Sequence, residues 1–210
     1  MSFPSHSLSV ARLLLLVVCG LLLLSACSDK IRLSPLAADA TILAFGDSLT
    51  HGTGANQDQS YPTVLAELSG RTVINAGVPG ETTAEGLARL PRVLEESNPD
   101  LVILCLGGND FLRRVDPAQT RANLVRMIDM IRAANVPLVL VAVPQLGLLS
   151  GSNPVYKELA REFKLPIENE IVADVLHDRD LKSDPIHPNA DGYRRMAEAL
   201  VDLLKNSGAI

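Results

Sequence analysis

Tryptophan is absent from this chain, and aromatic residues make up only 3% of it. A core built from such a composition is mostly aliphatic, and flat platforms for stacking nucleic-acid bases are scarce. Basic charge is also in short supply. Lys and Arg number 19 against 24 Asp and Glu, the formal net charge is -5 and the pI is about 5.4. The electrostatic footprint of a nucleic-acid binder is therefore missing. Cysteine is limited to Cys19, Cys27 and Cys105. Cys19 and Cys27 fall in an N-terminal segment that reads as an export signal, so the folded part holds a lone thiol and no disulfide. Cys105 lies inside the apolar run from Leu101 to Leu106 and reads as a small buried residue. Zinc-type His and Cys spacings are missing, as is the Gly-x-Ser-x-Gly elbow of the α/β-hydrolases. A zinc site is therefore not expected.

The longest apolar run is Leu13 to Leu24, interrupted only by Gly20. It is short for a membrane-spanning helix but suits the core of a signal peptide. Leu24-Ser25-Ala26-Cys27 follows and resembles the lipobox of bacterial lipoproteins, in which Cys27 becomes the lipidated first residue. The expected organisation is a signal peptide over 1–26, a lipidated tether over 27–40 and one folded domain over 41–210. The lipid anchor implies a protein of the bacterial cell envelope that faces the periplasm. Ser28 after Cys27 resembles an outer-membrane address. The tether carries Pro35 and shows no clear period.

From Thr41 onward, strands and helices alternate. Apolar runs at Thr41–Phe45, Arg71–Asn75, Leu101–Leu106, Pro137–Val143 and Leu165–Ile167 read as strands. Helical patterns cover Tyr61–Leu68, Thr83–Glu96, Asp116–Ala134, Pro154–Phe163 and Asn189–Lys205. Ser60, Asp116 and Asn189 are the expected caps, and Pro91 should kink or break its helix. Such alternation implies an α/β fold, a parallel sheet with helices on both faces. No repeat and no second domain is visible.

Four short runs sit where this fold gathers reactive groups, at the carboxyl ends of strands or the start of a helix. They are Gly46-Asp47-Ser48-Leu49, Asn75-Ala76-Gly77, Gly107-Gly108-Asn109-Asp110 and Asp184-Pro185-Ile186-His187-Pro188. A serine hydroxyl is a weak nucleophile that needs a base, and the base needs an orienting acid. Ser48, His187 and Asp184 fill those roles, with Asp184 only three residues before His187. Gly46 permits a tight turn that lifts Ser48 above the sheet edge. An oxyanion needs fixed donors, for which the N–H groups of Ser48 and Gly77 and the Asn109 side-chain amide are the candidates. Asp47 reads as a support whose carboxyl accepts backbone donors and fixes the turn. His51, three residues after Ser48, is a rival base without an acid partner at similar spacing. His177 reads as exposed.

These four runs resemble the SGNH hydrolases, also called GDSL esterases and lipases, whose blocks are matched by Ser48, Gly77, Asn109 and His187. Within that family the chain is most similar to small bacterial arylesterases with thioesterase and lysophospholipase activity. The resemblance implies a flavodoxin-like three-layer α/β/α sandwich on five parallel strands. It also implies a small acyl-ester or thioester substrate, including lysophospholipid, with no metal or cofactor. The chain is expected to act as a monomer. The lipid anchor departs from the soluble periplasmic members. Arg113 and Arg114 are a second departure, placed to influence the head group or leaving group. Phe111–Val115 and the segment 145–152, with three Leu, are candidate walls of an acyl groove. Two other readings stay open: a carbohydrate O-deacetylase acting on envelope glycans, and a non-catalytic envelope lipoprotein.

Overall fold

Burial of every residue in the run 101–106 sets the architecture, because a strand with no polar face must be covered on both sides. The computed structural model describes residues 31–144 and 151–210. The expected signal segment, Cys27 and the Leu-rich part of segment 145–150 lie outside the described residues. Five parallel strands, β1 (Thr41–Gly46), β2 (Thr72–Gly77), β3 (Leu101–Cys105), β4 (Leu138–Val141) and β5 (Ile167–Glu168), form one sheet in the order β2-β1-β3-β4-β5. Its register pairs Gly46 with both Gly77 and Cys105, so three strands end level at one edge. This is the flavodoxin-like order expected.

Eight helices accompany the sheet among the described residues: α1 (Ser48–His51), α2 (Tyr61–Ser69), α3 (Thr83–Ser97), α4 (Gly108–Leu112), α5 (Pro117–Ala133), α6 (Pro154–Phe163), α7 (Ile171–His177) and α8 (Ala190–Ser207). Chain direction reverses across the sheet between the β1-to-β2 and β2-to-β3 crossovers. Right-handed connections therefore put α2 on one face and α3 on the other. α8 packs against α2 and α7, and α3 against α5. No helix among the described residues is long and apolar enough to cross a membrane.

The expected caps hold at two of three sites. Asp116 accepts from the Ala118 N–H and Asn189 from the Gly192 N–H. Ser60 precedes α2 but does not cap it, because its hydroxyl donates to the Gln57 carbonyl. α3 runs through Pro91 without a break. Pro91 faces solvent, while Leu87, Leu90 and Val93 bury both halves of the helix, so packing outweighs the one lost hydrogen bond. Helices α1, α4 and α7 were not visible in the sequence. Segments of four to seven residues carry too few turns for a period to stand out. Part of the expected tether is docked: the Leu33 and Leu36 N–H groups donate to the carbonyls of Ser207 and Ala209.

The core is aliphatic in the main, with one exception. All three tyrosines, Tyr61, Tyr156 and Tyr193, are buried to 1% exposure or less. Tyr61 exchanges a hydrogen bond with Thr50 at 3.1 Å, and Tyr156 and Tyr193 donate to the carbonyls of Leu106 and Thr53 at 2.8 and 2.7 Å. A buried phenol needs such a partner. Each one found here lies in a loop or helix that follows β1 or β3, a few residues along the chain from Ser48 or Asn109.

Candidate active site

Ser48 is the first residue of α1, immediately beyond β1. Gly46 is required there for close approach rather than for an unusual turn. A Cβ at Gly46 would sit 2.2 Å from the Cys105 carbonyl oxygen and 2.3 Å from the Thr50 hydroxyl. Asp47 caps the short helix, its Oδ1 accepting from the Leu49 N–H at 3.1 Å. β1 and β3 flank the point where strand order reverses, the crevice in which such sheets bind ligands. Ser48 follows one of them and Asn109 follows the other.

His187 arrives from the opposite end of the chain. Its loop is tied down by Asp184, whose Oδ1 accepts from the N–H groups of Ile186 and His187 at 2.8 and 2.9 Å. The other carboxylate oxygen accepts from His187 Nδ1–H at 2.7 Å. An ionised carboxylate only accepts, so Nδ1 carries the proton and Nε2 is left as an acceptor. Ser48 Oγ lies 3.0 Å from that Nε2. Hydroxyl, imidazole and carboxylate thus form a continuous relay across 139 residues of sequence separation. Burial alone would raise the Asp184 pKa, but the His187 ring and the two backbone donors outweigh it and hold the carboxyl below its ordinary 3.8.

Asp47 shows the reverse balance. It is 2% exposed, and burial pushes its pKa up to about 7 against the opposing Leu49 N–H, with Glu81 and Asp110 adding repulsion. Its Oδ2 meets Asn109 Nδ2 at 3.3 Å. Asn109 also donates to the Glu81 carbonyl at 3.0 Å. Both amide protons therefore have protein acceptors.

Gly77 differs from expectation in a similar way. Its N–H donates to Asn75 Oδ1 at 3.0 Å rather than standing free. The absence of a side chain at Gly77 is needed for packing, since a Cβ would lie 2.1 Å from the His51 nitrogen. Ser48 N–H heads α1, where a helix offers its first amides no internal acceptor. An open cleft joins Ser48, Asn109 and His187. Its apolar wall is Leu49, Leu112, Val143, Leu176 and Ile186. Leu176 and Ile186 gave no sign in the sequence, because only the approach of α7 and the His187 loop turns them toward β1.

His51 is not a rival base in this geometry. It ends α1, and its Nε2 meets the Gln57 amide at 3.2 Å. His177 is exposed, and Cys105 is fully buried with its thiol pKa pushed up by burial. Arg113 donates to the Gly80 carbonyl at 2.8 Å. Among the described residues no group of three or more His, Cys, Asp or Glu is placed to hold a metal ion.

A nucleophile, base and acid at the switch point of a doubly wound parallel sheet are the arrangement of a serine hydrolase. The comparison with known proteins agrees. The chain belongs to the GDSL-like lipase/acylhydrolase family, whose profile matches residues 44–195. It is 34% identical over 197 residues to the esterase TesA of Pseudomonas aeruginosa, covering 88% of this chain and 97% of that protein. It is 33% identical over 178 residues to thioesterase 1/protease 1/lysophospholipase L1 of Escherichia coli K12, covering 80% and 85%. A crystal structure of TesA superposes with a TM-score of 0.70 at 31% identity, over 79% of this chain and 98% of that one.

Proposed function

We propose that this chain hydrolyses acyl esters and thioesters through an acyl-enzyme on Ser48. The observation that carries the reading is the unbroken hydrogen-bonded line from Ser48 Oγ through His187 to Asp184, at 3.0 and 2.7 Å. His187 Nε2 takes the hydroxyl proton as Ser48 Oγ bonds to the acyl carbon. Asp184 holds the ring and stabilises its positive charge. The oxyanion accepts from Ser48 N–H, from Gly77 N–H once Asn75 yields it, and from Asn109. Asn109 exchanges its longer contact, 3.3 Å to Asp47, and keeps the one to Glu81. His187 then gives the proton to the alkoxide or thiolate that departs as the acyl C–O or C–S bond breaks, and water repeats the sequence on the acyl-serine.

The aliphatic wall of the cleft supports an acyl chain over a sugar. It favours lysophospholipid and fatty thioesters above acetylated glycans. The names of the two relatives, an esterase and a thioesterase/lysophospholipase, point the same way. Export, lipidation at Cys27 and attachment to the envelope complete the proposal, supported by the apolar run and lipobox-like residues of the sequence. Radiolabelled palmitate incorporation that disappears in Cys27→Ala checks the anchor.

The decisive experiment compares wild type with Ser48→Ala. Wild type should label with a fluorophosphonate probe and cleave nitrophenyl esters. The variant should not label and should lose about 10⁴-fold or more in kcat. Full activity in Ser48→Ala would end the assignment.

A further inference from the structure

Arg89, in the middle of α3, touches the two strand ends that lead to Ser48 and Gly77 and the residue whose main-chain carbonyl holds Asn109. Its Nε–H donates to Glu81 Oε1 at 2.7 Å and its Nη2–H to Glu81 Oε2 at 2.6 Å. Nη2 also donates to the Ala76 carbonyl at 3.0 Å. The guanidinium carbon lies 4.2 Å from the centre of the Phe45 ring. Two of these contacts lie near a donor in the chain, and the third reaches one through a hydrogen bond. Ala76 precedes Gly77. Phe45 is buried at the end of β1, three residues before Ser48. Glu81 lends its own main-chain carbonyl to Asn109 Nδ2.

We propose that Arg89 is a positioning residue that sets the spacing of the oxyanion donors by bracing the ends of β1 and β2 against the Glu81 segment. The inference rests on the acyl-serine reading above and adds to it a residue that never meets substrate. Its side chain is 17% exposed and that of Glu81 5%, so the pair is largely withdrawn from water. A buried ion pair contributes little net stability once desolvation is subtracted. Its planar two-pronged geometry, in contrast, fixes direction strongly. Lysine carries the same charge but lacks the fork that grips a carboxylate and a carbonyl together. Donors displaced by a fraction of an ångström stabilise the transition state poorly while leaving ground-state binding intact.

The test uses the full-length protein as wild type, Arg89→Lys, Arg89→Gln, Glu81→Gln and Ser48→Ala. Four quantities are read: kcat and KM on a nitrophenyl ester, Ki for a trifluoromethyl ketone, and the end-point number of serines titrated by fluorophosphonate. The ketone forms an oxyanion on Ser48, so its Ki reports donor placement. For Arg89→Lys, kcat should fall about 10–10²-fold with KM unchanged, and Ki should rise in the same proportion. The titrated serine count should stay at the wild-type value, which separates misplacement from loss of folded protein. If both Arg89 variants fail to fold, Glu81→Gln, which keeps one accepting oxygen for the guanidinium, decides the matter by the same criteria. Variants that keep wild-type kcat and Ki overturn the proposal, as does a fall in kcat with no rise in Ki. Failure of the acyl-serine reading looks different: Ser48→Ala would then stay active.

Discussion

Asp47→Asn exchanges a buried acid for an amide of nearly the same shape, and its consequence can be worked out from the surroundings of the side chain. The carboxyl is 2% exposed, and burial pushes its pKa from 3.8 to about 7. The Leu49 N–H opposes that rise, and the carboxylates of Glu81 and Asp110 add to it. An acid with a raised pKa holds its proton in the folded chain over a range in which the unfolded chain has lost it. The resulting stabilisation is fully present below 3.8 and is lost as the pH climbs to about 7. At about 1.4 kcal/mol per pH unit, wild type should lose about 2–3 kcal/mol relative to Asp47→Asn between pH 5 and pH 7. Above that range the difference should level off. Urea unfolding of both proteins at half-unit steps from pH 5 to 8, with a common m-value, measures it. Taking the difference removes groups that titrate identically in the two proteins, and Asp184 is outside the window because its pKa is lowered. A difference that stays constant across the whole range would refute the assignment of a proton to Asp47.

Asp184→Asn should lower kcat by about 10³–10⁴-fold with little change in KM, because an amide donor facing His187 Nδ1 favours the wrong tautomer. Retention of more than a tenth of the wild-type rate would contradict the geometry described. Gly46→Ala should cost about 3 kcal/mol or more and lower Tm by about 6–12 °C, since both the Cys105 carbonyl and the Thr50 hydroxyl must give way. Differential scanning calorimetry reads that shift, and an unchanged Tm would mean that the strand ends are not packed as described.

The amino-acid sequence by itself determined the sheet, the order of its elements along the chain and the short runs that carry Ser48, Asp184 and His187. Those features are local. A run such as Leu101 to Leu106 has no polar face to expose, and an acid three residues from a histidine can meet it within one loop. The caps Asp116 and Asn189 and the span of the long helices were legible for the same reason. Whatever depends on distant segments meeting was decided only in three dimensions. The register that levels Gly46 with Gly77 and Cys105 creates the contacts which exclude a side chain at the glycines. The partners that occupy the Asn109 amide come from Asp47 and Glu81 in the folded chain. The burial that raises Asp47, the tyrosines under the site loops and the grip of Arg89 on two strand ends have no pattern in the chain. Each is set by desolvation and by hydrogen bonds between groups that sequence spacing keeps apart, and only the packed sheet brings them within range.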